Sequence, residues 1–245
     1  MLISACFLSG FIIISPAHAQ KKPNFDEVMS GFIKKIEADS LYIGDNYTHQ
    51  ERAITKTLKN GVVSGIEEEH FLVEKKSGQL YKKLVEKDGL VITNPGFKKK
   101  DELISIGLEL LERYEFVFAR NEILSGTRCW VFSFRPKENL KELSAKDAAL
   151  NLIAGEMWIS QTDLSFKKIS GYLLSEANIS KIIGSAKLYK LDFVATAKLI
   201  NGRFAVDHVW AEYIYEVKLF GFVKVINNRH EIVEIFYEDY KRRTK

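Results

Sequence analysis

Apolar and polar residues alternate along the last third of the chain, and this alternation restricts the possible folds more than any other feature. Every second residue is apolar across residues 193–199, and residues 213–217 repeat this spacing. An Asn201-Gly202 pair lies between the two segments. A period of two predicts strands with one face toward a core, and Asn-Gly between strands predicts a tight hairpin turn. The C-terminal third is therefore predicted to be an antiparallel meander.

Shorter segments of the same kind occupy much of the remaining chain. Segments rich in β-branched and aromatic residues and bounded by turn residues predict further strands at 52–58, 68–74, 79–86, 114–119, 128–135, 156–160, 165–174, 220–227 and 231–240. About ten strands with few helices between them indicate a long meander and not alternating βαβ units. The sequence thus predicts a mostly β (α+β) fold with one large curved antiparallel sheet.

Three segments predict helices. After Asn24, which can cap a helix together with Glu27, one apolar stripe follows at helical spacing: Phe25, Val28, Met29, Phe32, Ile33 and Ile36. From Leu41 the pattern changes to that of a strand, and residues 98–112 and 145–153 predict two further helices. Since the opposite side of the first helix carries charges of both signs, we expect its stripe to pack against the apolar face of the sheet.

The N-terminal 19 residues have the composition of a secretory signal peptide. They contain no Lys, Arg, Asp or Glu, include a short apolar run and end in Ala17-His18-Ala19, which predicts cleavage before Gln20. The run is too short to span a membrane, which takes about 20 apolar residues. We therefore expect an exported, bacterial-type protein of the periplasm. No linker or low-complexity tract divides residues 20–245, which predicts a single domain.

Composition limits the partners of the mature chain. Cleavage leaves Cys129 as its only cysteine, so the fold cannot depend on an intramolecular disulfide. The net charge is +4, with basic clusters at residues 98–100 and in the C-terminal tail. An anionic membrane surface is a candidate partner for these clusters, and plain solubilising charge is the simpler interpretation. Export argues against nucleic acid as a partner, and we expect a monomer.

No residue pattern in the chain has the spacing of a catalytic or metal-binding motif. Gly-x-Ser-x-Gly, His-Glu-x-x-His, a phosphate-binding glycine loop and Cys-x-x-Cys are all absent from the sequence. The four histidines of the mature chain are scattered among predicted strands and turns: His49, His70, His208 and His230. We therefore expect no enzymatic activity, no catalytic residue, no metal site and no cofactor.

Five segments carry a resemblance in pattern and order. They are YTHQER at 47–52, NG at 60–61, LVEKDG at 84–89, GTRCWVFSFRPK at 126–137 and GEMWI at 155–159. Over about residues 25–240 the chain resembles the outer-membrane lipoprotein-sorting proteins, the LolA/LolB-like family. This resemblance implies a half-open antiparallel β-barrel, helices that cover its concave apolar face, and a cavity for acyl chains. The predicted helix at 145–153 is an insertion relative to the minimal carrier.

Six side chains are candidates for lining an apolar cavity: Phe132, Trp158, Phe193, Leu199, Tyr213 and Tyr215. A register error of one residue would replace Trp158 by Met157 and Ile159. The apolar face and the resemblance together favour a non-enzymatic binding or carrier protein for a lipid or lipoprotein acyl chain. The alternative is an envelope protein-interaction or sensor module with the same fold and no lipid ligand.

Overall fold

A single antiparallel sheet contains every strand of the computed structural model, which describes residues 23–76, 79–99, 113–141, 145–181, 184–219 and 224–243. The predicted signal peptide at 1–19 lies outside these residues. The described strands are β1 (Tyr47–Lys59), β2 (Val62–Lys76), β3 (Gln79–Lys87), β4 (Leu90–Val91), β5 (Lys98–Lys99), β6 (Tyr114–Leu124), β7 (Thr127–Pro136), β8 (Ile153–Ser160), β9 (Phe166–Leu173), β10 (Ala177–Lys181), β11 (Gly184–Ile200), β12 (Arg203–Leu219) and β13 (Lys224–Arg242).

The strand order shows how the meander is arranged. Neighbouring strands follow the path β4-β3-β2-β1-β13-β12-β11-β9-β8-β7-β6, while β5 pairs with β3 and β10 pairs with β11. Among the described strands β4 and β6 form the two ends of this path and do not pair with each other, so the sheet is open. The predicted mostly β fold with one large antiparallel sheet is confirmed. The half-open barrel with a helix-covered concave face stays a prediction.

Two of the predicted turns have the backbone geometry that Asn-Gly favours. Asn60 and Gly61 have φ values of 54° and 77°, and Asn201 and Gly202 have φ values of 50° and 75°. A positive φ at both central residues is the requirement of a two-residue hairpin turn whose twist matches that of its strands. These turns join β1 to β2 and β11 to β12, as the sequence predicts.

The long helix α1 (Phe25–Asn46) packs its apolar stripe against one face of the sheet, which we call the inner face. The stripe and residues of four strands form one buried cluster: Val28, Met29, Phe32, Ile33, Ile36, Phe132, Met157, Ile159, Phe166 and Phe204. Phe132 of β7 is 0% exposed and Met157 of β8 is 1% exposed. Because these side chains come from both layers, the helix and the middle of the sheet share one core.

The sequence predicts that α1 gives way to a strand from Leu41, and this boundary is wrong. The helix continues to Asn46, and Ile43 extends the buried stripe by two turns beyond Ile36. Asp39 occupies the stripe position between them and is completely buried. Because Asp39 is charged, the helical spacing of apolar residues is interrupted at this position. The sequence pattern therefore predicts a helix that ends too early.

The other predicted helices differ from the structure at their boundaries. The short helix α2 (Ala145–Leu150) ends before Ile153, which begins β8. The Tyr114 hydroxyl donates a 2.8 Å hydrogen bond to the Leu150 carbonyl oxygen and so fastens the end of α2 to β6. Lys98 and Lys99, predicted as the start of a helix, form β5, and residues 100–112 lie outside the described part of the chain.

Candidate functional site

A continuous row of cross-strand neighbours runs over the inner face, from the core under α1 to the opposite part of the sheet. Its members, in spatial order, are Phe132, Met157, Ile169, Ala195, Val209, Ile235 and Ala53. Directly opposed residues of antiparallel strands project to the same side of a sheet. Phe132 and Met157 are buried, whereas the four members from Ala195 onward are half-buried. The inner face therefore continues, apolar, beyond the part that α1 covers.

A second row lies beside the first and contains two glycines in its centre. In spatial order it consists of Phe116, Phe134, Gly155, Gly171, Phe193, Ala211, Val233 and Thr55. A Cβ on Gly171 would lie 2.5 Å from the Phe193 ring. One on Gly155 would lie 1.9 Å from the Ser170 backbone oxygen and 2.9 Å from the Phe134 ring. Gly171 thus makes room for an aromatic ring, and Gly155 makes room for both the neighbouring backbone and a ring.

Beyond Phe193 the inner face carries the buried carboxylate of Glu231 beside two tyrosine rings. The Tyr213 and Tyr215 rings lie 5.6 Å apart, and the Tyr215 hydroxyl donates a 3.3 Å hydrogen bond to the buried carboxylate of Glu231. Arg229 forms an ion pair with the other carboxylate oxygen at 3.3 Å. Burial, together with the charge of Glu231, raises the pKa of the Tyr213 hydroxyl far above its ordinary value. Both tyrosines therefore stay protonated at physiological pH.

Five of the six predicted lining residues project to the inner face, but at different depths. Phe132 is fully buried under α1, and Phe193 packs beside the buried cluster of Tyr114, Phe134 and Ile153. Tyr213 and Tyr215 lie farther along, at half-buried positions. Phe193, Tyr213 and Tyr215 therefore border the part of the face that α1 does not cover.

Leu199 and Trp158 occupy other surroundings. Leu199 is paired with the buried Phe204 and so projects to the inner side, but it lies near the hairpin tip and is 49% exposed. Trp158 is paired with Val131, one position away from the Phe132–Met157 pair, and therefore projects to the opposite side of the sheet. Met157 and Ile159 lie on the inner face in its place. This is the arrangement expected for a register error of one residue.

The outer face under Trp158 holds a small apolar cluster of its own. Cys129, Val131 and Trp158 are buried together, with Leu124 packed beside them. The Lys168 ammonium lies 4.5 Å from the Trp158 ring centroid, and the Arg120 guanidinium lies 5.8 Å from it. Cys129 is a buried core residue, as the sequence predicts, and burial raises the pKa of its thiol, which disfavours the thiolate.

Sequence reasoning did not identify two buried carboxylates on the inner face. Glu51 is 4% exposed and Glu231 is 7% exposed, and they lie on the neighbouring strands β1 and β13. The His49 ring is 3.4 Å from the Glu51 carboxylate and stacks on the Tyr240 ring at 5.0 Å. Alternation could have placed Glu51 and Ala53 on the same side, but acidic residues at strand positions are ordinarily assigned to solvent.

The chemistry available on this face is that of apolar binding with a few hydrogen-bonding groups. In the described residues there is no group of three or more His, Cys, Asp or Glu side chains able to hold a metal ion. The tyrosine hydroxyls and buried carboxylates are engaged with protein partners or with one another. Neither described helix combines the length and the apolar character needed to cross a bilayer.

The described fold defines a class: an open antiparallel sheet of long strands with an amphipathic N-terminal helix on one face. Similar solved structures include a LolA superfamily protein from Nitrosomonas europaea, at 12% identity and a TM-score of 0.37, covering 88% of this chain and 94% of that one. An outer membrane lipoprotein-sorting protein domain from Vibrio parahaemolyticus has 10% identity and a TM-score of 0.44, covering 89% and 92%.

A third similar structure is the MucA/MucB complex of Pseudomonas aeruginosa, at 7% identity and a TM-score of 0.30, covering 89% of this chain and 100% of that one. The resemblance to lipoprotein-sorting proteins that the sequence indicates is confirmed, since such proteins are among these structures. At these TM-scores the likeness carries no information on ligand or partner. No family model matches the chain, and no curated protein matches it.

Proposed function

We propose that this chain is a non-enzymatic periplasmic protein that binds or carries an acyl chain of a lipid or lipoprotein on its inner face. The supporting observation is the first cross-strand row, in which the buried pair Phe132 and Met157 is continued by five half-buried apolar residues. A monomer does not ordinarily leave a contiguous apolar face beside its core without a ligand or partner for it. Export after removal of residues 1–19 would deliver the protein to the periplasm.

The dimensions of the uncovered part suit an alkyl chain. Ala195, Val209, Ile235 and Ala53 lie on four adjacent strands, which at about 4.8 Å per strand spacing span about 14 Å. Each buried methylene contributes about 0.8 kcal/mol before ordering costs, so a chain of ten methylenes laid along this row would gain about 8 kcal/mol. Such binding needs no ionic anchor, because the burial of apolar area alone drives it.

The test compares two substitutions at adjacent residues of β11. Ala195→Glu places a carboxylate on the inner face, whereas Thr196→Glu places it on the outer side, beside the cross-strand neighbours Lys168 and His208. Both variants would be purified from the periplasm without detergent and titrated with a fluorescent fatty acid. We expect the wild-type protein and Thr196→Glu to bind the probe and Ala195→Glu to bind it at least tenfold more weakly, with native mass spectrometry detecting co-purified lipid in the first two.

One result would overturn the proposal: folded wild-type protein that carries no lipid and takes up no probe. That result would favour the second candidate, an envelope protein-interaction module with the same fold. A specific observation supports this candidate, because large apolar side chains are exposed around the β1–β2 hairpin and in β4: Val62, Ile66, Leu90 and Val91 are 64–75% exposed. Exposed apolar surface of this kind is common where proteins associate.

A further inference from the structure

An open, basic pocket lies at the end of the sheet where β1 begins and where β2 and β13 end. It has a volume of about 440 Å³ and is lined by Thr48, Glu74, Lys75, Lys76, Arg242 and Arg243. Four of these six side chains are cationic, and Glu74 is the only acidic one. Segments far apart in sequence thus place several positive charges around one concave surface.

The two lysines of the pocket are paired with carboxylates. Lys75 forms an ion pair with Asp45 of α1 at 2.8 Å, and its side chain is only 15% exposed. Lys76 forms an ion pair with Glu74. Among the described residues, by contrast, neither Arg242 nor Arg243 has an ion-pair partner. Within the described residues, the positive charge of the two guanidinium groups is therefore not neutralised by an ion pair.

Arg243 has a property that surface arginines ordinarily lack. Its Nε and Nη2 atoms are buried, and no hydrogen-bond partner for them lies in the described part of the chain. Its backbone N–H donates a 2.8 Å hydrogen bond to the Asn46 carbonyl oxygen, which fixes the residue against the end of α1. Buried polar groups are nearly always hydrogen-bonded, and within the described residues these two donors are among the exceptions. Planar guanidinium donors match the paired oxygens of a phosphate.

The surface around the pocket is basic as well. Strand β5 pairs with β3 beside the end of β2, with Lys98 opposite Lys82 and Lys99 opposite Tyr81. The Phe97 ring next to β5 is 36% exposed, and the ammonium groups of Lys76 and Lys83 lie 3.7 and 5.0 Å from its centroid. Residues of both basic clusters in the sequence are thus brought to one end of the sheet. Positively charged surfaces with an exposed aromatic ring are suited to anionic membrane interfaces.

We propose that this pocket binds the phosphate of an anionic phospholipid headgroup, with Arg243 and Arg242 as its donors and Lys75 and Lys76 as supporting charges. The site is separate from the inner face and does not depend on acyl-chain binding there. It would hold the protein at the surface of an anionic bilayer by its β1–β2–β13 end. This assigns a specific pocket to the membrane contact that the basic clusters suggest.

The test measures co-flotation of the full mature chain with vesicles of phosphatidylcholine alone or mixed with phosphatidylglycerol. The double variant Arg242→Gln/Arg243→Gln removes the two pocket arginines. Its matched control, Lys59→Gln/Arg128→Gln, removes the same charge from the β1–β2 hairpin and from β7. We expect wild type and control to bind the anionic vesicles alike, the pocket variant to bind at least tenfold more weakly, and none to bind phosphatidylcholine. Circular dichroism would verify that all three are folded.

Two outcomes would overturn the proposal. Equal losses in both double variants would show that net charge and not the pocket governs binding. Wild-type protein that binds inorganic phosphate in calorimetry but not anionic vesicles would assign the pocket to free phosphate. The Ala195→Glu variant distinguishes a failure of this proposal from a failure of the acyl-chain proposal. We expect it to bind anionic vesicles as the wild type does, even when it no longer binds the fatty-acid probe.

Discussion

Asp39 connects α1 to the β11–β12 hairpin, and its removal should destabilise the fold more than that of any exposed acid. One carboxylate oxygen accepts a 3.0 Å hydrogen bond from the buried backbone N–H of Phe204 and lies 3.0 Å from the Lys35 ammonium. The other accepts a 3.1 Å hydrogen bond from Arg203. The carboxylate is completely buried, so each of these interactions is shielded from water on the carboxylate side.

The expected magnitude follows from these partners. Asp39→Ala leaves the Phe204 N–H buried without an acceptor, which costs about 1–3 kcal/mol. Lys35 and Arg203 are partly exposed, so each lost ion pair adds about 0.5–1 kcal/mol. We therefore expect the free energy of unfolding to fall by about 2–5 kcal/mol in urea titrations. Asp39→Asn keeps an acceptor for Phe204 and should lose less, about 1–2 kcal/mol.

The effect of Asp39 should depend on pH in one direction. Burial raises the pKa of this carboxyl, but the hydrogen bonds from the Phe204 N–H, Lys35 and Arg203 outweigh it, so that the net pKa lies below its ordinary value. A carboxyl whose pKa is lowered by folding stabilises the native state above its unfolded pKa of about 3.9 and loses that contribution as pH falls through the folded pKa. The stability difference between wild type and Asp39→Asn should therefore be constant from pH 7 to about 5 and shrink below pH 4.

Glu37→Ala is the control for this series, because Glu37 is an exposed acid on the same helix and its loss should change the stability by less than about 0.5 kcal/mol. The reasoning would be refuted if Asp39→Ala unfolded at the wild-type urea concentration. A difference between wild type and Asp39→Asn that grew as the pH fell below 4 would refute the assignment of the lowered pKa.

Two further predictions concern the sheet itself. Gly171→Ala places a Cβ 2.5 Å from the Phe193 ring and should lower the free energy of unfolding by about 1–3 kcal/mol through overpacking. Urea titrations would measure this loss. Gly65→Ala is the matched control, because its added Cβ meets no atom within 4 Å. Cys129 is 0% exposed with a raised thiol pKa, so thiol reagents should label it only after unfolding; rapid labelling at pH 8 without denaturant would contradict its burial.

The sequence predicted the orientation of the strands best in the C-terminal third, because there only one face is apolar. It was wrong to predict two strands at 220–227 and 231–240, since Lys224–Arg242 form the single strand β13. On β12 the charged Glu212 alternates with Tyr213, and the structure pairs Glu212 with Lys190 on the outer face at 2.7 Å. In β7 and β8, by contrast, both faces are apolar: Val131 packs outward while Phe132 packs inward. Alternation carries no information on orientation in such strands, and this is why Trp158 could not be assigned to a face.

The candidate phosphate pocket could not be predicted as a site, since its parts come from β1, β2 and β13. The sequence shows the basic clusters, but only the pairing of Tyr47 with Arg242 brings the C-terminal cluster beside the start of β1. The orphaned donors of Arg243 are likewise a property of packing. The long-range register of the strands therefore brings the basic residues of β2 and of the C-terminal cluster together at one concave surface.

Side-chain size along the first cross-strand row changes where the contacts with α1 end. Under α1 the row contains Phe132 and Met157, which fill the space between helix and sheet. Farther along, Ala195 and Ala53 take the equivalent positions, with Val209 and Ile235 between them. Small residues at these positions leave volume above the sheet that large ones would occupy. The change in size coincides with the end of the buried cluster that α1 forms with the sheet, and the proposed acyl-chain binding depends on this change.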